Sequence, residues 1–241
     1  MDAEIRYLYH SGFAVKTAGH FLVFDYYHDT PRGGKLSAGV INPAELRDEN
    51  VLVFASHSHP DHYSPRIFSW RKEIGQIRYV MANEIRTKED CVRMKAGQTC
   101  DLGDVTVRAL DSTDIGCAFL VKTDGLCIYH AGDLNWWHWE GEPEADNLEM
   151  ARRYREQIDT LSGENIDIAF IPVDSRLEAN CVLGLDYFMK AAGAAMIVPM
   201  HAFGNPSFYD TLKTDPRVSG YLDRITFYRE RGETIPYTKN T

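Results

Sequence analysis

Three imidazoles and a carboxylate fall within six positions of this chain, in His57-Ser58-His59-Pro60-Asp61-His62. Imidazole nitrogen and carboxylate oxygen are ligands for a borderline divalent ion such as zinc. Alternate residues of an extended segment project the same way, so His57 and His59 can share one ion. Pro60 bends the chain beyond them, which frees Asp61 and His62 to serve a second. Ions held there would lower the pKa of a water and polarise the bond it attacks, with Asp61 placed to orient that water or take its proton. The competing explanation is a surface loop that happens to be rich in histidine, and the residues just before the cluster argue against it.

Those residues, Val51 to Ala55, form a short apolar run that is β-branched and aromatic and is bounded by polar residues, the pattern of a buried strand. Upstream, Ile5 to Tyr9, Phe13 to Val15 and Phe21 to Phe24 read as a β-meander, the last strand running into Asp25. Ser64-Pro65 offers an N-cap and first turn for a helix to about Arg71, and Pro43 to Arg47 a shorter one. Ile77 to Met81 reads as a strand, Asn83 to Lys95 as a charged surface helix, and Val105 to Leu110 as a strand. Cys117 to Lys122 and Leu126 to His130 form a hairpin across Asp124-Gly125. A helix over Pro143 to Leu161, a strand over Ile166 to Val173, a helix over Leu185 to Ala192 and a strand over Ala195 to Met200 follow, the last delivering His201. The tail reads as helical at Phe208 to Lys213 and extended at Ile225 to Tyr228. Two halves share a plan: a hairpin ending in Asp (Asp25, Asp133), a helical excursion, and an apolar strand ending in His (His57, His201). Apolar strands alternating with amphipathic helices call for sheets covered by helices.

At 241 residues and 44% hydrophobic, the chain can bury a large core, and one domain over 1–241 is expected. A formal charge of −9 argues against a broad nucleic-acid-binding face, which would be built from Lys and Arg. The five cysteines are odd in number and lack a metal-type spacing, no apolar run approaches the ~20 residues of a membrane span, and the N-terminus lacks a basic-then-apolar leader. A cytoplasmic protein acting on a small molecule is expected, with no membrane or nucleic-acid partner; self-association into a homo-oligomer is left open.

The pattern His57-x-His59-x-Asp61-His62 resembles the signature of the metallo-β-lactamase superfamily of metallohydrolases. The resemblance implies an α/β fold, a four-layer αββα sandwich with two metal ions at one edge. On it, Asp133 matches the bridging carboxylate, His201 the last histidine ligand, and Asp25 an early aspartate that supports the metal loop through hydrogen bonds. The mid-chain histidine of relatives is replaced: counting back from Phe119, Ser112 stands there. The first ion then has His57, His59 and Asp133, with Asp114 or Asp111 as an oxygen donor. Two divalent ions, zinc first, are expected; an oxygen-richer first site would be weaker, harder and more tolerant of manganese or iron.

His10-Ser11-Gly12-Phe13 is similar to the start of a lactonase-like branch that includes ascorbate-6-phosphate lactonase. This implies a His10 close to the metals, in contact with substrate or with a ligand. His138 and Arg176 are further candidates for substrate binding, Arg176 for an anionic group. The run Trp136-Trp137-His138-Trp139 reads as a pocket wall or lid with part of it in the core. The expectation is a binuclear metal-dependent hydrolase of an ester, lactone or phosphodiester, with a phosphorylated small molecule as first choice. A nuclease of the same fold and a non-hydrolytic iron protein are the alternatives.

Overall fold

The computed structural model describes residues 2–239; residues 1, 240 and 241 of the expected domain span lie outside the described ones. Strands β1 (Ala3–Tyr9), β2 (Gly12–Lys16), β3 (Phe21–Phe24), β4 (Asn50–Ala55), β5 (Gln76–Ala82) and β6 (Val92–Met94) belong to one sheet. Strands β7 (Thr99–Asp101), β8 (Val105–Asp111), β9 (Cys117–Thr123), β10 (Leu126–His130), β11 (Ile168–Pro172) and β12 (Met196–Met200) form a second. The chain then returns to the first sheet, where β13 (Thr234–Tyr237) pairs antiparallel with β1. The sheets meet through aromatic side chains: Phe13 and Phe24 against Phe170, and Phe54 against Phe119. All five rings are fully buried.

The two halves follow one pairing plan. Antiparallel pairs β1–β2 and β2–β3 are followed by parallel pairs β3–β4 and β4–β5. In the same sequence come β8–β9, β9–β10, β10–β11 and β11–β12. The expected repeat of plan is therefore present, with one correction. The counterpart of β4 is β11, which leads into Asp174, and His201 follows the counterpart of β5. A histidine and an aspartate, not two histidines, occupy the equivalent strand ends.

Helices α1 (Glu144–Asp159) and α2 (Leu183–Ala191) pack together over the second sheet, where Tyr154 of α1 donates its hydroxyl proton to Gly184 O. On the first sheet the covering elements are tight 3-10 runs, Pro43–Leu46 and Pro65–Lys72. Ser64 does cap the second, accepting from Arg66 N, and Phe68 and Trp70 pack on Tyr79 and Tyr26.

Asn83 to Lys95 is not a helix. It is a loop and the edge strand β6, held by the Arg93 guanidinium on the carbonyls of Ile85 and Thr87. Its charges supplied no apolar stripe of helical period to bury. Ile225 to Tyr228 forms no strand, only a single bridge between Ile225 and Ile197. Strand β13 was not expected from the sequence; in it the buried Ile235 and Tyr237 alternate with exposed residues. Among the described residues no helix is long and apolar enough to cross a membrane.

Candidate metal centre

The histidine loop begins where β4 ends, and its first residue is gripped from three sides. Asp25, directly after the neighbouring strand β3, accepts from Ser56 N at 2.8 Å and from Ser56 Oγ at 2.6 Å. Cys117 N donates to Ser56 O at 2.9 Å. Two glycines make this approach possible. A Cβ on Gly116 would lie 2.0 Å from Ser56 O, and one on Gly132 2.6 Å from Ser56 Cβ. Farther along, His62 N and Tyr63 N both donate to His59 O, which closes the turn over Pro60. Glu84 accepts from the Ser58 backbone and hydroxyl at 2.6 and 2.8 Å.

Two sets of ligand-type atoms result: His57, His59, Asp114 and Asp133, and His10, Asp61, His62 and His201. Asp133 stands between them. Its Oδ2 is 3.6 Å from His57 Nε2, while its Oδ1 is 3.2 Å from His62 Nε2 and 3.3 Å from His201 Nε2. In the first set, Asp114 Oδ2 is 3.3 Å from His59 Nδ1. In the second, Asp61 Oδ2 is 3.6 Å from His10 Nε2.

Each deep imidazole is fixed through its far nitrogen. His62 Nδ1 meets Asp25 Oδ2 at 2.8 Å, His57 Nδ1 meets Ser56 Oγ at 2.9 Å, and His201 Nδ1 meets Asp174 Oδ2 at 2.8 Å. Partners of this kind orient metal-ligating histidines and raise their basicity. Asp133 is held through its carbonyl, which accepts from Trp137 Nε1 at 3.0 Å and from Thr113 Oγ1 at 3.3 Å. The backbone is strained here as well: His10, Asp25, His201 and Phe203 take φ of 55°, 44°, 77° and 47°. Strain of that kind, ~1–3 kcal/mol per residue, persists where the surroundings over-determine the conformation, commonly at functional sites.

The residues fit a metal centre for a specific reason. Buried Nε2 of His10, His57, His62 and His201 and buried Oδ1 of Asp133 have no hydrogen-bond partner among the described residues. A buried polar atom without a partner costs ~1–3 kcal/mol, so five in one place would cost ~5–15 kcal/mol, comparable with the whole stability of a domain. A divalent cation coordinated by imidazole and carboxylate removes most of that penalty. The buried groups also shift one another's ionisation. Burial alone would raise Asp133, yet His62, His201 and His57 outweigh it and hold the carboxyl below the usual range. Burial would lower His201, yet Asp133 and Asp174 push it up to about 9. Burial, reinforced by His201 and His62, pushes His10 down to about 2.

A cavity of about 330 Å³ opens beside the centre, lined by Asp61, Asp114, Trp137, Trp139, Met150 and Arg176 among others. Trp137 and Trp139 stack 5° from parallel, and the Arg176 guanidinium lies between the rings of Trp139 and Phe203, at 5.5 and 4.8 Å. Trp136 faces the other way, onto Arg155 and Tyr187. His138 goes with it, into a separate groove of about 290 Å³ along α1, and is not brought to the centre. Asp111 belongs to neither ligand set, and its carboxylate accepts from Ser112 N instead. Ser112 Oγ accepts from Asp114 N, which turns Asp114 toward His59. His130 is fully buried, bonded to Ser11 O and stacked on Phe24. Sequence reasoning missed Asp174, although Val173-Asp174 closes an apolar strand as Phe24-Asp25 does.

Two facing sheets that carry histidines and aspartates to one edge define the metallo-β-lactamase fold. Residues 4–140 match the family described as Beta-lactamase superfamily domain, and the chain belongs to that family. It is 28% identical over 144 residues to a UPF0173 metal-dependent hydrolase of Thermococcus kodakarensis, a stretch covering 54% of this chain and 61% of that relative. This chain thus spans about three fifths of that relative's length. Among solved structures it is similar to Igni18, a metallo hydrolase of Ignicoccus hospitalis, with a TM-score of 0.70 at 16% identity over 99% of both chains. It is similar also to CmlA, a diiron β-hydroxylase of Streptomyces venezuelae, with a TM-score of 0.62 at 12% identity over 97% of this chain and 54% of that one.

Proposed function

We propose that this chain is a metal-dependent hydrolase with a binuclear centre, acting on an ester, lactone or phosphodiester bond of a small molecule. One observation carries the reading: the two oxygens of Asp133 divide between two histidine sets, as a bridging carboxylate requires. His57, His59, Asp114 and Asp133 would hold the first ion, and Asp61, His62 and His201 the second, with Asp133 brought to it by Oδ1. Such ions supply Lewis acidity, which makes water a nucleophile near neutral pH and polarises the bond it attacks. The chain's own groups do the rest. Asp61, partly exposed at the cavity lip, orients or deprotonates the nucleophile. Trp137, Trp139 and Met150 shelter the substrate from water, and Arg176, pinned by Asp174, offers a planar cation to an anionic substituent. Zinc is the first choice of metal. The first ion should bind more weakly, because His59 and Asp114 are exposed whereas His62 and His201 are buried.

The resemblance of His10-Ser11-Gly12-Phe13 to the lactonase-like branch favours a phosphorylated substrate, handled by one cytoplasmic domain over 1–241. A second reading, a non-hydrolytic iron protein, is favoured by the two carboxylates in the first ligand set and by the fold similarity to a diiron β-hydroxylase. The deciding experiment loads purified protein with zinc, manganese or iron(II) and screens lactones, carboxyl esters and bis(p-nitrophenyl) phosphate. Hydrolysis that is lost in Asp61→Ala while His57, His62 and His201 still retain metal is the expected result. Oxygen consumption by the iron form without any hydrolysis would support the second reading.

A further inference from the structure

His10 is grouped by proximity with the ligands Asp61, His62 and His201, yet its hydrogen bonding is reversed relative to theirs. His62 and His201 turn Nδ1 to carboxylates, which accept a proton. His57 turns Nδ1 to Ser56 Oγ, whose single proton is committed to Asp25 at 2.6 Å, so that the oxygen accepts from His57. In all three, Nδ1 carries a proton and the lone pair available to a metal is on Nε2. His10 Nδ1 instead receives the backbone N–H of Phe203 at 3.2 Å. A backbone amide cannot act as the acceptor in this bond. His10 Nδ1 must therefore keep its lone pair for that bond, and the ring proton sits on Nε2, the buried atom that faces Asp61 without a partner.

That arrangement is imposed by the chain on both sides. His10 and Phe203 both have positive φ, His201 N donates to His10 O, and His10 N donates to the Tyr7 hydroxyl. The Phe203 ring covers the imidazole with centroids 4.0 Å apart, which prevents an easy ring flip. We propose that His10 is a positioning residue and not a metal ligand: its Nε2–H donates to Asp61 Oδ2, turning the other carboxylate oxygen to the centre. The present 3.6 Å separation is longer than a hydrogen bond. Asp61, being half-exposed, is the partner free to close it. This rests on the metal-centre reading for its purpose, but the tautomer stands independently of it.

The test is nitrogen NMR of the histidine rings in the metal-free protein and after zinc addition. His10 should show an unprotonated Nδ1 and a protonated Nε2 in both states, while Nε2 of His57, His62 and His201 shifts on zinc binding. A His10 Nε2 that loses its proton to zinc overturns the proposal. If zinc moves no histidine at all, the metal-centre reading fails, and a metal-free His10 with protonated Nδ1 would separately overturn this one. Two variants test the positioning role. His10→Ala should weaken the tighter zinc event by ~10–100-fold, as loss of a ligand-orienting partner does. His10→Gln, which keeps an N–H where Nε2 stood, should recover most of that loss. Equal weakening by both, or none by either, would contradict a donor role.

Discussion

Asp25 and Asp133 occupy matching positions in the two halves of the molecule, each beyond the third strand of an equivalent set, and they do opposite work. Asp25 follows β3 immediately and turns both oxygens to Ser56 and His62, so it acts behind the ligands. Asp133 lies three residues past the end of β10, beyond Gly132, and reaches the middle of the centre. The next strand ends are exchanged in turn. Beyond β4 lie the candidate ligand histidines, and beyond β11 lies Asp174, which supports His201. Each half thus contributes one carboxylate that orients an imidazole and a set of groups that would meet the metal. What differs is the length of chain after the strand and the glycine that lets it cross Ser56.

The largest expected effect comes from removing the carboxylate that both ligand sets share. With ~10–16 kcal/mol of apparent zinc binding spread over four ligands, one ligand is worth ~2.5–4 kcal/mol, or ~70–1,000-fold. Asp133→Ala should lose that factor at both sites, measured by chelator competition. An effect confined to one site would mean that Asp133 does not bridge.

The orienting carboxylates give a smaller and more discriminating contrast. Asp25→Asn should weaken both zinc events by ~10–100-fold, because Asp25 holds His62 directly and His57 through Ser56. Asp174→Asn should weaken only the event that uses His201. The same residue sets a pH dependence. With His201 pushed up to about 9, zinc must expel its proton at neutral pH, so apparent affinity should rise with pH and level off above about 9. Stability of the metal-free protein runs the other way. This histidine's contribution is complete below its unfolded value of ~6.5 and is lost as pH rises through about 9.

The smallest contrast compares two glycines, one in the turn of the β9–β10 hairpin and one just past its end. Gly125 and Gly132 have φ of 75° and 52°, so Ala at either should cost ~1–2 kcal/mol of backbone strain. Only at Gly132 would the new Cβ strike Ser56, whereas at Gly125 it meets open space. Gly132→Ala should therefore also weaken zinc binding, and Gly125→Ala should leave it unchanged. Thermal unfolding and zinc affinity measured on both variants check this.

Much of this was legible in the sequence because strand ends and metal ligands leave local signals. The apolar run before His57, the Asp124-Gly125 turn and the strand before His201 are each visible within a few residues. What was hidden depends on contacts between distant segments. Gly116 and Gly132 look like ordinary turn glycines until Ser56 is brought against them. Asp174 looks like a helix cap, and does cap Arg176 N, while also holding His201. The donor role of His10 depends on Phe203, 193 positions away. The segment Asn83 to Lys95 misled for the converse reason: charge-rich composition suits a helix locally, but its Glu84 and Arg93 are committed to the loop and sheet edge.

The central claim, that Asp133 divides its oxygens between two ions, is tested most directly by anomalous scattering from crystals soaked in zinc at alkaline pH. Two peaks are predicted, one among His57, His59, Asp114 and Asp133 and one among Asp61, His62, Asp133 and His201. A single peak, or peaks that leave Asp133 uncoordinated, would contradict the account.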